Sequence, residues 1–213
     1  MRLSRGKSIV GAVCGLGGLA FLLSARTVPP RAPQAATPAP QEITLEVDPA
    51  QSKVYYTVDS TLHTVHGTFE LRKGSLIHFD TASGKASGEI SVYATSGESG
   101  NSARDVRMHK EILETQKYPD IIFRPRQIEG RAAASGPSDV KLHGVMLLHG
   151  GEYELVALVH VELAADHWQG TAQFDVPYVQ WGIKDPSNWL LKVKPVVHVE
   201  LNMVGTERVM DQK

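Results

Sequence analysis

Long segments of alternating apolar and polar residues constrain this chain more than any other feature. From Tyr153 to Leu163, Tyr153, Leu155, Ala157, Val159, Val161 and Leu163 fall on one side of an extended backbone, and Glu154, Val156, Leu158, His160 and Glu162 on the other. Successive side chains of a strand point to opposite faces, so a period of two predicts a β-strand with one buried face. The period recurs where Val54, Tyr56 and Val58 alternate with Lys53, Tyr55 and Thr57, and where Ile90, Val92 and Ala94 share one face of Glu89 to Ala94. Trp168, Ala172, Phe174 and Val176 oppose Gln169, Thr171, Gln173 and Asp175, and Leu191, Val193, Val197, Val199, Leu201 and Met203 share a face of a final run from Leu190 to Val204.

Turn chemistry separates these runs. Lys73-Gly74 between Thr68 to Leu71 and Ser75 to Phe79 predicts a hairpin. Gly150-Gly151 turns the run from Gly144 to His149 into the next strand, and Pro125 puts the far end of the Ile121-Ile122-Phe123 strand at an edge or bulge. About eight long antiparallel strands are too many for a flat sheet with one wet face, and closure removes exposed edges. The alternation thus predicts an all-β fold, a barrel or a sandwich; an antiparallel barrel of about eight strands would have an interior that fits side chains or one small ligand.

One short helix interrupts this pattern. Asn101-Ser102 opens a charged stretch that Tyr118-Pro119 closes, because proline lacks the amide donor and disfavours helix before it. Val106, Ile112 and Leu113 are its predicted buried stripe. Its charged face, Arg104, Asp105, Arg107, His109 and Lys110, is solvated, or holds the helix to the barrel through an Arg104 and Asp105 pair, or meets the polar head of a ligand at the barrel mouth.

The N-terminus is different in kind. Arg2, Arg5 and Lys7 precede an uncharged run from Ser8 to Ala25, a positive region followed by a hydrophobic helix. That run sits at the lower limit for spanning a bilayer and is diluted by four glycines, while Leu23-Ser24-Ala25 ends in small residues as a cleavage site would. Both a cleaved signal peptide over residues 1–25 and a retained membrane anchor through residues 8–25 put the remainder outside the cytoplasm, in the periplasm or beyond. Cys14, the one cysteine, lies inside this run after Val13, where a lipidation motif wants a small residue. The exported domain therefore has no internal disulfide and must be held by its core. Residues 26–42 form a Pro/Ala-rich linker, residues 43–206 the globular domain, and residues 207–213 a tail.

Five of the 22 basic residues and none of the 23 acidic ones precede Gln41, which leaves 17 against 23, a net of −6 for the rest. Nucleic acid is not an expected partner of such a surface.

The order of several segments resembles the YceI-like family. The resemblance runs from Val47-Asp48-Pro49 to Val204-Gly205-Thr206, through Ser52-Lys53-Val54, Gly67-Thr68-Phe69, the block from Gly100 to Phe123, Leu147-Leu148-His149-Gly150 and Tyr178-Val179-Gln180-Trp181-Gly182-Ile183. It implies a lipocalin-like barrel whose apolar cavity holds a long-chain amphiphile: a polyisoprenoid, a quinone or a fatty amide. The chain departs from the family after Gly150, where Gly151-Glu152-Tyr153 replaces the usual Val-Thr and basic residue. The polar end of the ligand is thus the part least carried over.

Other chemistry finds little support. His63 and His66 are three apart and point to opposite faces of a strand, whereas zinc needs three or four convergent ligands. His143 and His149, six apart, share a face of a regular strand in structural roles. No Gly-x-Ser-x-Gly elbow, reactive cysteine, haem attachment motif or phosphate loop is present, so no enzyme, metal or cofactor is expected. The candidate ligand contacts are the large residues on strands or at a strand junction: Tyr56, Val58, Ile90, Val92, Phe123, Phe174, Trp181 and Leu191. Their competing role is simply to fill the core. The expected function is non-catalytic binding or sequestration of a long-chain isoprenoid, quinone or acyl lipid in the cell envelope. The alternatives are a barrel plugged by its own side chains that serves as an interaction module, and a histidine-based metal or redox accessory protein. Oligomeric state is open.

Overall fold

The alternating runs pair as antiparallel strands in a computed structural model that describes residues 41–210. The predicted hydrophobic helix, residues 1–40 of the leader and linker, and residues 211–213 lie outside these. The strands are β1 (Glu42–Val47), β2 (Lys53–Asp59), β3 (Thr64–Leu71), β4 (Leu76–Asp80) and β5 (Ala86–Glu98), then β6 (Asp120–Glu129), β7 (Gly136–Leu148), β8 (Gly151–Leu163), β9 (His167–Val176) and β10 (Val197–Met210). Between β5 and β6, α1 (Ser102–Arg107) runs on as a π-helical stretch, Met108–Ile112.

Ten strands occupy eight positions of a closed barrel. Every pairing is antiparallel, in the order β5-β3-β2-β10-β9-β8-β7-β6 and back to β5, with β4 and β1 forming a second route from β5 to β10. Both β1 and β2 pair with β10, the former around Gly205 and the latter around Glu200, so they lie end to end. β3 and β4 do the same along β5, with Leu71 opposite Val92 and Leu76 opposite Glu89. The hairpin expected at Lys73-Gly74 is therefore a junction between collinear strands. A Lys-Gly pair signals a change of direction or a kink equally well, and partners distant in sequence decide which.

The other turns follow local chemistry. His149 and Gly150 have φ of 51° and 79°, the left-handed pair that a two-residue hairpin between right-twisted strands requires. His149 consequently leaves the strand and does not share a face with His143. Pro125 sits at a register shift between β6 and β7, as its missing amide predicts. β10 begins at Val197 rather than near Leu190, because Pro195 cannot donate to a ladder, and Trp189 and Leu190 are 90% and 64% exposed.

The core sits inside the barrel, and its closed end is sealed by Trp168, whose Nε1 donates to the Glu46 carbonyl at 3.1 Å. Glu207 also points inward, at 8% exposure, and its Oε2 has no hydrogen-bond partner among the described residues. Burial raises its pKa above the ordinary 4.5. The folded state then holds the proton more tightly than the unfolded chain, so stability declines as pH rises through the interval above 4.5 and stays reduced at neutral pH. Glu207→Gln is expected to flatten that decline and to stabilise the barrel by about 1 kcal/mol at pH 7. Urea titrations at pH 4.5 and 7 check it; unchanged pH dependence in the variant would mean that Glu207 is solvated in the folded state.

The described residues fall within one compact unit, Pro38–Lys213, and all inter-strand pairings lie inside it. Among the described residues no helix is long and apolar enough to cross a membrane.

Candidate functional site

Inward positions on the strands are mostly aliphatic, and they do not fill the barrel. They enclose a cavity of about 360 Å³, within the roughly 300–1,000 Å³ of ligand pockets. Leu155, Ala157, Val159 and Val161 of β8 face Val197, Val199, Leu201 and Met203 of β10 along it. At about 3.3 Å per residue each of these rows spans roughly 20 Å of strand. The interior is therefore not plugged by the chain's own side chains. Small residues make the room: Ala157, Gly170 and Ala172 stand at lining positions where neighbouring strands carry larger ones.

Of the predicted contacts, Tyr56, Val58, Ile90, Val92, Phe123, Phe174 and Leu191 line the cavity. Trp181 does not. It lies in the turn after β9, where Ile183 N–H donates to the Tyr178 carbonyl and Gly182 has φ 81°. That turn aims Tyr178 and Ile183 into the cavity and leaves the indole outside, stacked on Tyr153 with centroids 4.3 Å apart and planes 5° from parallel. Tyr153 Oη donates to the Trp181 carbonyl at 2.6 Å, which locks the turn to β8. A motif that breaks the strand period gave no basis for assigning faces within it.

The helix roofs the end opposite Trp168. Asn101 caps it, its Oδ1 accepting from Arg104 N–H at 3.1 Å. Arg104 donates through Nε to Ser99 Oγ and through Nη2 to the Ser99 carbonyl, both at 2.7 Å, and Ser99 Oγ donates in turn to Asp105. Arg104 and Asp105 thus anchor the helix jointly through Ser99 rather than by pairing directly. His109 Nε2 donates to the Gly97 carbonyl at 2.8 Å, a second tie to β5. Held this way, Met108, Ile112 and Leu113 reach the cavity while Val106 is 52% exposed. Val106 was expected in the buried stripe; it lies two residues before Met108, on the far side of a helical turn, and the π-helical stretch re-aims the residues from Met108 onward. Met108 was missed in the sequence; its spacing of four residues from Ile112 is the signal that places the two on one helical face. Lys184 Nζ pairs with Glu111 at 2.7 Å, tying the helix to the β9–β10 crossover across the mouth.

Polar groups gather at this mouth: Ser60, His63, Arg104 and Arg107 are among the lining residues. Arg107 lies 3.6 Å from Glu111, a solvated pair. Burial, with the nearby Asp105 carboxylate, pushes the Tyr56 phenol up to about 12, and burial with Asp185 does the same for Tyr178. Both phenols remain neutral at physiological pH, so neither adds a charge to the cavity lining. Tyr56 Oη lies 3.6 Å from Met108 Sδ, under the roof.

The histidines are dispersed. His66 faces outward with Nδ1 3.0 Å from Thr57 Oγ1, away from His63. His143 meets Glu129 at 2.9 Å, and His149 meets Glu114 at 2.7 Å with its ring against Tyr118. Among the described residues no three His, Cys, Asp or Glu side chains converge as a metal site.

Solved structures share this fold. A BcnA structure from Burkholderia cenocepacia aligns at 16% identity and a TM-score of 0.61, covering 76% of this chain and all of that one. A polyisoprenoid binding domain from Saccharophagus degradans aligns at 13% identity and a TM-score of 0.54, over 78% of this chain and 98% of that one. The YCEI protein of Campylobacter jejuni aligns at 15% identity and a TM-score of 0.54, over 68% and 85%. No curated protein sequence matches the chain. The profile of the YceI-like domain matches residues 45–205, nearly the whole barrel from β1 into β10. The chain belongs to the YceI-like family.

Proposed function

We propose that this domain is a carrier or sequestering protein for a long-chain amphiphile, an isoprenoid lipid foremost, with a quinone or fatty amide as chemical variants, in the cell envelope. The observation that carries this reading is the cavity itself: about 360 Å³ walled by hydrocarbon, with its polar groups confined to one end. Such a space stabilises an apolar chain without regard to sequence of contacts, since each buried methylene contributes roughly 0.8 kcal/mol before ordering costs. The mouth residues Arg104, Arg107, Ser60 and His63 orient the polar head, and no bond is made or broken. The name of the Saccharophagus degradans domain agrees with this ligand class.

Native mass spectrometry of the barrel exported by a bacterial host, followed by organic extraction, is expected to show a stoichiometric long-chain adduct. Across a series of polyprenols or alkyl amides, affinity should rise about fourfold per added methylene until the cavity is full. A flat series, or protein that stays empty after incubation with quinones and polyprenols, would sink the carrier reading.

A further inference from the structure

We propose that the rim of the cavity mouth is a membrane-docking surface, which sets the open end of the barrel against an anionic bilayer while lipid enters or leaves. The inference rests on the carrier reading above. Its core is a tip made of Leu62, Trp189 and Leu190, which are 67%, 90% and 64% exposed.

These three residues are presented together by hydrogen bonds. Leu62 sits in the turn between β2 and β3, and Thr61 N–H donates to the Lys192 carbonyl at 2.9 Å, while Ser60 bridges to Val193. Trp189 and Leu190 occupy the tip of the crossover, where Asn188 Oδ1 accepts from both Leu190 N–H at 2.9 Å and Leu191 N–H at 2.8 Å. The turn is thus built, with its two largest apolar side chains facing water. The remaining large exposed apolar residues of the barrel strands, Tyr55, Tyr93, Val156 and Leu158, lie on the side wall.

Three features favour a bilayer as the occupant. First, the apolar surface adjoins the cavity: Leu191, next to Leu190, lines it, as does Val193. An apolar path therefore runs from the crossover tip to the interior, as lipid transfer without exposure to water requires. Second, the tip combines an indole with aliphatic residues, and tryptophan partitions to membrane interfaces, where its ring is buried and its N–H stays wet. Third, the segment from Lys184 to Lys194 carries three lysines and one acid, Asp185, in a domain with a net charge of −6 after Gln41. Lys184 and Lys194 pair with Glu111 and Asp59 from outside it, which leaves Lys192, two residues from Leu190, as the lysine with no ion pair among the described residues. A basic residue beside exposed apolar ones suits anionic headgroups.

The test uses the chain from Pro38 to Lys213, the unit that contains every strand pairing, so that the hydrophobic leader plays no part. Cosedimentation is measured with vesicles of phosphatidylcholine containing about 30% phosphatidylglycerol, and with phosphatidylcholine alone. The expected result is partitioning onto the anionic vesicles with a blue shift of Trp189 emission, weaker by about fivefold on phosphatidylcholine alone. A Trp189→Ser/Leu190→Ser variant should lose about tenfold or more of the vesicle affinity, yet carry the same lipid adduct by native mass spectrometry. Leu62→Ser alone should give a smaller loss of the same kind.

Equal vesicle binding by native and variant protein would overturn the proposal. So would a native protein that carries a lipid adduct yet ignores both vesicle types, and this would leave the carrier reading intact. A concentration-dependent dimer that the double substitution abolishes, without vesicle binding, would assign the tip to a second copy and overturn it as well. Vesicle binding lost in the variant, together with a cavity that never takes a long-chain lipid, would support docking while faulting the carrier reading.

Discussion

Ala157→Phe combined with Ala172→Phe is expected to cut long-chain lipid affinity by about two orders of magnitude while leaving the barrel folded. Both alanines line the cavity on adjacent strands, with Ala172 paired to Val159 and Ala157 two positions away. In a packed core two added rings would overpack, at about 1–3 kcal/mol each. Here they project into about 360 Å³ of empty space, so the strain is relieved and apolar burial offsets the lost freedom of the side chains. The ligand loses what the rings occupy: displacing about four methylenes at roughly 0.8 kcal/mol each removes about 3 kcal/mol, or some 200-fold in Kd. Titration with a fluorescent polyprenol or quinone analogue, alongside thermal denaturation, separates the two effects. Undiminished affinity in a folded variant would place the ligand elsewhere on the protein.

Gly205→Ala is expected to destabilise the barrel by about 3 kcal/mol, a fall of roughly 6–12 °C in Tm for a domain of this size. Gly205 pairs with Trp168 on one side and Val47 on the other, where β1, β9 and β10 come together. A Cβ there would overlap the Glu46 carbonyl oxygen and come within 2.7 Å of Trp168 Nε1. That indole donates to the same carbonyl, so the substitution disrupts a backbone pairing and the hydrogen bond that seals the closed end. Alanine would otherwise gain about 0.4–1 kcal/mol by restricting the unfolded chain, which makes the sign of the change informative. A neutral or stabilising Gly205→Ala in urea unfolding would mean that β1 can move off β10 at little cost. Gly67 is bound by a comparable constraint at the other end, since the Tyr56 ring and the Glu98 carbonyl occupy the space of its missing side chain.

Much of the wall was legible in the sequence, because a period of two assigns faces without knowledge of partners. Val54, Tyr56, Ile90, Val92, Ala157, Val199 and Leu201 all point inward as their spacing requires. The helix was legible by its cap, although it ends at Ile112, seven residues before the proline expected to close it, and seven of the eight chosen contacts reached the cavity wall. Most misses share a cause. Trp181, His149 and the run from Leu190 lie where the chain is neither regular strand nor regular helix, so no period assigns their direction; Val106 lies in α1, just before the π-helical stretch that changes the helical period. Lys73-Gly74 shows the complementary gap: a turn signal marks where a strand breaks but not whether its next segment folds back or continues along the same neighbour.

By itself the sequence determined an antiparallel all-β domain with an apolar inside, one inserted helix and its family, since these depend on local alternation, turn chemistry and the order of motifs. Only the tertiary structure decided that ten strands share eight positions, that Trp168 closes one end while the helix roofs the other, and that the centre is hollow. The hollow is the decisive property, and it is a difference between the girth set by strand number and stagger and the summed volume of side chains from strands far apart in sequence. No single segment encodes that difference; it exists only once β10 has closed the ring against β1, β2 and β9.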